Sequence, residues 1–121
     1  LRLDETRHRM RWAWHEFFKD YDVLLCPETC AAAFPHATGS TYEREITIDG
    51  KVHPFMNHVF WAGYSGVAYL PATVAPMGFT PAGLPIGVQI IGPHYGDRTC
   101  IQFARLLERE YQGFVPPPGY D

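Results

Sequence analysis

Between Tyr69 and Gly96 the chain reads YLPATVAPMGFTPAGLPIGVQIIGPHYG, two apolar runs flanking a turn rich in proline and glycine. Thr80, Pro81, Ala82 and Gly83 match a type I turn, because proline presets φ at its second position and glycine is favoured at its fourth. The two runs are therefore expected to pair antiparallel. In the second run, Ile86, Val88 and Ile90 alternate with Gly87, Gln89 and Ile91, and the two-residue period of a strand sends these sets to opposite faces. Gly87 leaves room for something to approach, most simply a helix packed onto the sheet. Gln89 interrupts an otherwise apolar run, and its plainest role is a buried amide satisfied by backbone groups.

A chain of 121 residues with 46% hydrophobic content supports one core and is too short for two ordinary domains. One α/β unit over residues 1–121 is expected. The net charge of -3, with 10 Lys and Arg scattered along the chain, leaves no basic stripe to neutralise a phosphate backbone, so nucleic acid is not an expected partner. No apolar run nears the roughly 20 residues that cross a bilayer, and LRLDETRHRMRW is too polar for a secretory signal. A membrane is therefore not expected, and the cytoplasm is the expected compartment. Cys26, Cys30 and Cys100 cannot all pair with one another, and they read as ordinary thiols in a reducing environment.

Along the chain, Met10, Ala13, Trp14, Phe17 and Tyr21 recur at three- and four-residue intervals, which predicts an amphipathic helix from an Asp4 N-cap to about Asp20. Val23, Leu24, Leu25 and Cys26, closed by Pro27, form the short unbroken apolar run of a strand covered on both faces. Residues 28 to 45 have no period and read as a long surface excursion, a feature that is often functional. Ile46 to Ile48 and Lys51 to His53 flank Asp49-Gly50, the pair favoured by type I′ hairpin turns. Phe55, Val59, Phe60 and Gly63 predict a short helix packed by small residues. In the last helix Asp97 is the expected N-cap, Cys100, Phe103, Ala104, Leu107 and Tyr111 form the apolar stripe, and Gly113 is the expected C′ residue. The tail over 114–121 is expected to lie extended or fray.

The residues by themselves contain no complete active site. The serines are Ser40 and Ser65, and neither sits in a G-x-S-x-G elbow. Cys26 and Cys100 fall in apolar surroundings, where burial makes a thiol inert. Cys26, Cys30 and His36, or His53 and His58, invite a metal reading, but their C-x3-C and H-x4-H spacings match no compact zinc signature. His8, His15 and His94 have no evident carboxylate orienter, and glycine-rich phosphate cradles are absent. No catalytic residue, metal or cofactor is expected.

Three blocks in order, YDVLLCP at 21–27, YLPATVAPMGFTPAGLPIGVQIIGP at 69–93 and DRTCIQFARLLE at 97–108, resemble the C-terminal portion of amidase signature family enzymes. The resemblance covers roughly Trp12 to Tyr111, and Pro76 to Gln89 is its most specific piece. It implies hydrolysis of carboxylic amide C–N bonds by a serine nucleophile acting through a second serine and a lysine. Those three residues lie upstream in the family, and here the serine- and glycine-rich segment that bears both serines has no counterpart. Lys19 and Lys51 match no catalytic position, so no triad residue carries over. The implied fold is α/β, a mixed β-sheet with covering helices that forms part of an α/β/α sandwich. In that family the loop after the LLCP strand and the helix before the long hairpin wall the substrate pocket, which points to Thr29, Asn57, Trp61 and Gln89. Tyr69 departs from the glycine common in relatives before the Leu-Pro-Ala step, a change expected to act on packing.

The leading expectation is the C-terminal segment of an amidase, supplying scaffold and pocket wall for a small-molecule amide and inactive alone. Leu1 in place of methionine, and a helix that begins almost at once, support a piece cut from a longer chain. The alternatives are a self-standing binding or interaction module of the same fold and, more remotely, a metal-binding domain. Uncovered sheet edges and helix faces are expected to drive self-association.

Overall fold

A computed structural model describes residues 2–120 of the chain. Helix α1 (Arg2–Phe17) leads into strand β1 (Leu24–Pro27), and after the irregular excursion come β2 (Glu45–Ile48) and β3 (Lys51–Pro54). A single 3-10 segment, Phe55–Val59, runs directly into α2 (Phe60–Val67). Strands β4 (Ala72–Phe79) and β5 (Pro85–Ile91) and helix α3 (Asp97–Glu110) complete the order.

The long hairpin forms as its turn chemistry requires. Gly83 donates its N–H to the Thr80 carbonyl at 2.9 Å, and β4 and β5 pair antiparallel from Ala72 opposite Ile91 to Phe79 opposite Pro85. A bulge between Pro76, opposite Gly87, and Gly78, opposite Ile86, leaves Met77 without a partner in the ladder. β1 joins the other side of β5, giving the order β1-β5-β4, with Cys26 opposite Gln89. β2 and β3 form a separate two-stranded hairpin, and both Asp49 (φ 51°) and Gly50 (φ 74°) take the positive φ of a type I′ turn. Every ladder among the described residues is antiparallel, so these strands do not supply the parallel pairs of a mixed sheet.

The alternation in β5 builds two cores. Val88 and Ile90 join Ala75 and Cys100 beneath α3, packed by Phe103, Ala104 and Leu107. Ile91 turns the other way, to Cys26, Ala68 and Leu70, covered by Trp14 of α1, by Phe18 just beyond that helix and by Trp61 and Tyr64 of α2. Helices therefore cover both faces of the sheet, the α/β/α layering that was expected. Ile90 and Ile91 are wholly enclosed, and each side chain contributes about 1.5–3 kcal/mol from its burial.

Several local expectations are corrected. α1 already includes Arg2, so Asp4 lies in the first helical turn, where its charge complements the helix dipole, instead of capping it. Tyr21 lies beyond the helix and stacks on Phe17 with ring centroids 4.7 Å apart. β1 is an edge strand, and Leu25 is 43% exposed instead of covered. The segment 55–67 is two helical pieces, and the glycines in α2 face open space instead of a packed neighbour. Gly96, not Asp97, precedes the first turn of α3. Tyr111 ends that helix 65% exposed, outside the stripe, and Gly113 lacks the left-handed φ of a C′ glycine. The excursion over 28–44 has no helix or strand, as its lack of period implied. Residues 114–120 carry a turn closed by Tyr120 N–H on the Pro117 carbonyl, and Asp121 lies outside the described residues.

Candidate functional site

Where β1 ends, the chain turns away from the sheet, and the start of the excursion faces the start of β5. The result is a cleft of about 490 Å³ between residues 27–33 on one side and Val74, Pro85, Ile86 and Gly87 on the other. Gly87 keeps this wall low. A Cβ there would meet Val74 Cγ1 at 3.0 Å and the Ala75 carbonyl at 3.2 Å, so the crowding comes from the neighbouring strand and not from a helix.

Two contacts fix the opposite wall. Cys30 N–H donates to the His58 carbonyl at 3.2 Å, and its thiol points at the Asn57 carbonyl at 3.5 Å. Thr29 lines the cleft with its hydroxyl folded back onto the Ala31 carbonyl at 2.9 Å. The side chains that bring polarity here are Glu28, Thr29 and Cys30, with no serine, histidine or lysine among the lining residues. Such a wall can orient a ligand. The Thr29 hydroxyl and the Cys30 thiol are both turned onto backbone carbonyls.

The four residues singled out from the sequence fall in different places. Thr29 is in the cleft, and Asn57 is an exposed residue whose backbone carbonyl receives the Cys30 thiol. Gln89 and Trp61 lie together behind β1, on the α2 side of the sheet. Gln89 is 3% exposed, and its Nε2 donates to the Trp61 carbonyl at 2.8 Å and toward Cys26 Sγ at 3.4 Å. The Ser65 hydroxyl approaches its Oε1 at 3.5 Å. A backbone carbonyl thus takes the amide proton, the arrangement that the plainer reading of Gln89 required.

Electrostatics agree with inert thiols. Burial pushes the Cys26 thiol up from its ordinary value, opposed by the Gln89 amide. Burial also raises Cys100, helped by the Asp97 charge and opposed by a backbone hydrogen bond. Lys19 is engaged with Glu16 at 2.7 Å on an exposed helix end, and Lys51 sits at the tip of the small hairpin. Among the described residues no three of His, Cys, Asp and Glu come together to hold a metal ion, and no helix is long and apolar enough to cross a membrane.

Sequence reasoning passed over the Ala31–Ala33 wall and Arg44, which stands at the entry to β2. Only the length of the unpatterned excursion hinted at them, because alanines and a lone arginine carry no spacing signal.

Helices thus cover both faces of the sheet, and a cleft at the end of β1 is walled by Glu28, Thr29 and Cys30. The chain belongs to the Amidase family, whose model matches residues 1–101. It is 34% identical over 109 residues to a glutamyl-tRNA(Gln) amidotransferase subunit of Halothermothrix orenii, covering 90% of this chain and 21% of that protein. The corresponding subunit of Rhodospirillum rubrum is 33% identical over 120 residues, covering 99% of this chain and 22% of the relative. The chain therefore spans about a fifth of the length of the curated relatives it matches. Among solved structures, a protein from a vestigial complex bearing on the origins of an s-triazine catabolic enzyme superposes with a TM-score of 0.78 at 24% identity, over 94% of this chain and 24% of that one. The same glutamyl-tRNA(Gln) amidotransferase subunit from Thermotoga maritima gives 0.70 at 24% identity, over 97% and 24%. These two likenesses establish the fold.

Proposed function

We propose that this chain is the C-terminal segment of an amidase that cleaves a carboxylic amide C–N bond, and that it supplies sheet, covering helices and one wall of the substrate pocket. The observation that carries the reading is the open cleft at the end of β1, shaped but without any serine, histidine or lysine among its lining residues. The family membership and the one-fifth coverage support it. The nucleophilic serine, its partner serine and the lysine base then stand on sequence upstream of these residues.

In this reading Thr29 meets the small-molecule amide directly. Asn57 acts through its carbonyl to hold Cys30 in the opposite wall, while Gln89 and Trp61 fix the sheet behind it. The chain forms one α/β unit with a surface tail over 114–121, and it works in the cytoplasm without nucleic acid or membrane as partner. Removed from the rest of the enzyme it self-associates, through the β4 edge, where Val74 and Phe79 are about half exposed, or through the apolar face of α1.

Ammonia release from a panel of aliphatic amides, aryl amides and glutamine tests the reading. The intact protein is expected to hydrolyse at least one class, and residues 1–121 alone none. Hydrolysis by the isolated chain would overturn it. Inactivity of the intact protein toward every amide would favour a binding module of the same fold. Sedimentation of the isolated chain as a clean monomer at high concentration would remove the self-association.

A further inference from the structure

Helix α1 and the loop between β5 and α3 form a pocket of about 380 Å³, lined by His8, Arg11, Trp12, His15 and His94. The first four recur at three- and four-residue intervals and so share one face of the helix, and His94 closes the pocket from the loop. The pocket has no lining residue in common with the cleft at the end of β1. A guanidinium and three imidazoles thus meet in one hollow, and no carboxylate lines it.

Charge bookkeeping along α1 singles out Arg11. Arg7 has Asp4 at 3.7 Å, Lys19 has Glu16 at 2.7 Å, and Arg9 is paired with Glu5. Among the described residues no carboxylate lies within 4 Å of Arg11. Its Nη2 instead sits 2.7 Å from His94 Nε2 and 3.1 Å from His94 Nδ1. A guanidinium only donates, so the imidazole is the acceptor, and the contact fixes Arg11 at the pocket without cancelling its charge. Nη1 and Nε of Arg11 have no protein acceptor, and neither is sealed from solvent, so both remain within reach of a ligand. His8 Nδ1–H donates to the Asp4 carbonyl at 2.9 Å, which leaves Nε2 as its free nitrogen. Trp12 meets His15 edge to face, with ring centroids 5.7 Å apart, yet stays 67% exposed. A held, exposed indole beside a cationic hollow offers a surface on which a flat ring can stack.

We propose that this pocket binds an aromatic phosphomonoester, with Arg11 and the imidazoles of His8 and His15 on the phosphate and Trp12 stacked on the aromatic body. The free Nη1 and Nε of Arg11 are two donors for one pair of phosphate oxygens. The imidazoles serve the third, and they can accept its proton when the ester is singly ionised. A carboxylate would leave that third position unused. The site does not depend on the proposed amide cleavage.

Calorimetric titration of the intact protein with phenyl phosphate, phenol and methyl phosphate tests the proposal. Phenyl phosphate is expected to bind at least tenfold more tightly than either of the others. Arg11→Gln should abolish the preference over phenol and Arg11→Lys restore part of it, while Trp12→Ala should abolish the preference over methyl phosphate. Equal binding of phenyl phosphate and phenol, or an unchanged preference in Arg11→Gln, would overturn the site. Inorganic phosphate bound as tightly as phenyl phosphate would overturn the stacking on Trp12. Should Arg11→Gln fail to fold, the ring resonances of His8 and His15 in the unaltered protein decide. They shift with phenyl phosphate and not with phenol if the site exists, and resonances unmoved at millimolar phenyl phosphate rule it out.

Discussion

The Gln89 side chain donates to the Trp61 carbonyl at 2.8 Å, tying the central strand of the sheet to the first turn of α2. With 3% of Gln89 exposed, water cannot replace that bond. Gln89→Leu is expected to cost about 1–3 kcal/mol, mostly through polar groups left without partners. Gln89→Glu places a carboxylate against a carbonyl oxygen, and burial would raise its pKa. A raised acid group stabilises below its unfolded value and loses that stability as pH rises, so Gln89→Glu is expected to be weaker at pH 8 than at pH 5. Urea denaturation at the two pH values checks both variants.

Tyr69 adopts a left-handed φ of 55°, a conformation that favours glycine. Its hydroxyl accepts from Arg7 Nη1 at 2.6 Å, and the Arg7 guanidinium lies 4.6 Å from the ring centroid. Arg7 Nε also donates to the Val67 carbonyl at 3.1 Å, so the pair joins α1 to the end of α2. Tyr69→Gly relieves backbone strain of about 1 kcal/mol but loses these contacts, and a net change within about 1 kcal/mol is expected. In an Arg7→Ala background the contacts are already gone, so Tyr69→Gly should become stabilising. Thermal melts of the four proteins in that cycle measure it.

Gly92 lies where a Cβ would come 2.5 Å from the Cys100 sulfur. Cys100 is wholly buried on α3, so overpacking cannot be relieved toward solvent. Gly92→Ala is expected to destabilise by about 1–3 kcal/mol. Cys100→Ala opens that space, and the double variant should be more stable than the two single losses added together. Denaturant midpoints of the three variants supply the comparison.

The raised thiols of Cys26 and Cys100 predict both reactivity and pH dependence. Ellman's reagent should modify half-buried Cys30 first, with Cys26 and Cys100 reacting only as the protein opens. The native state holds their protons above the ordinary value of 9.0, where the unfolded chain has released them. Their contribution is therefore complete below about pH 9 and fades as pH rises through the folded values. Stability measured at pH 8 and pH 10 should fall less steeply in Cys100→Ala than in the unaltered protein.

Features with a short-range cause were legible in the residues. Thr80 to Gly83 and Asp49-Gly50 close their hairpins because turn chemistry needs only neighbours, and the period of two in β5 assigned Val88 and Ile90 to one core and Ile91 to the other. The stripe through Cys100, Phe103, Ala104 and Leu107 followed equally from spacing. Helix ends were read less well. Asp4 and Asp97 both fit a cap, yet the backbone entered each helix earlier, since a cap depends on the path of the incoming chain.

By itself, then, the sequence determined the hairpins, the two faces of the central strand and the kinship carried by its three blocks. Only the tertiary structure decided where the polar groups find partners. It separated Thr29, which lines the cleft, from Gln89 and Trp61, which lock the sheet behind it. It also enclosed the Nε of Arg44 without an acceptor. Periodicity reports which way a side chain points along its own element, whereas the partner of a buried donor is set by segments that meet from far apart in the chain.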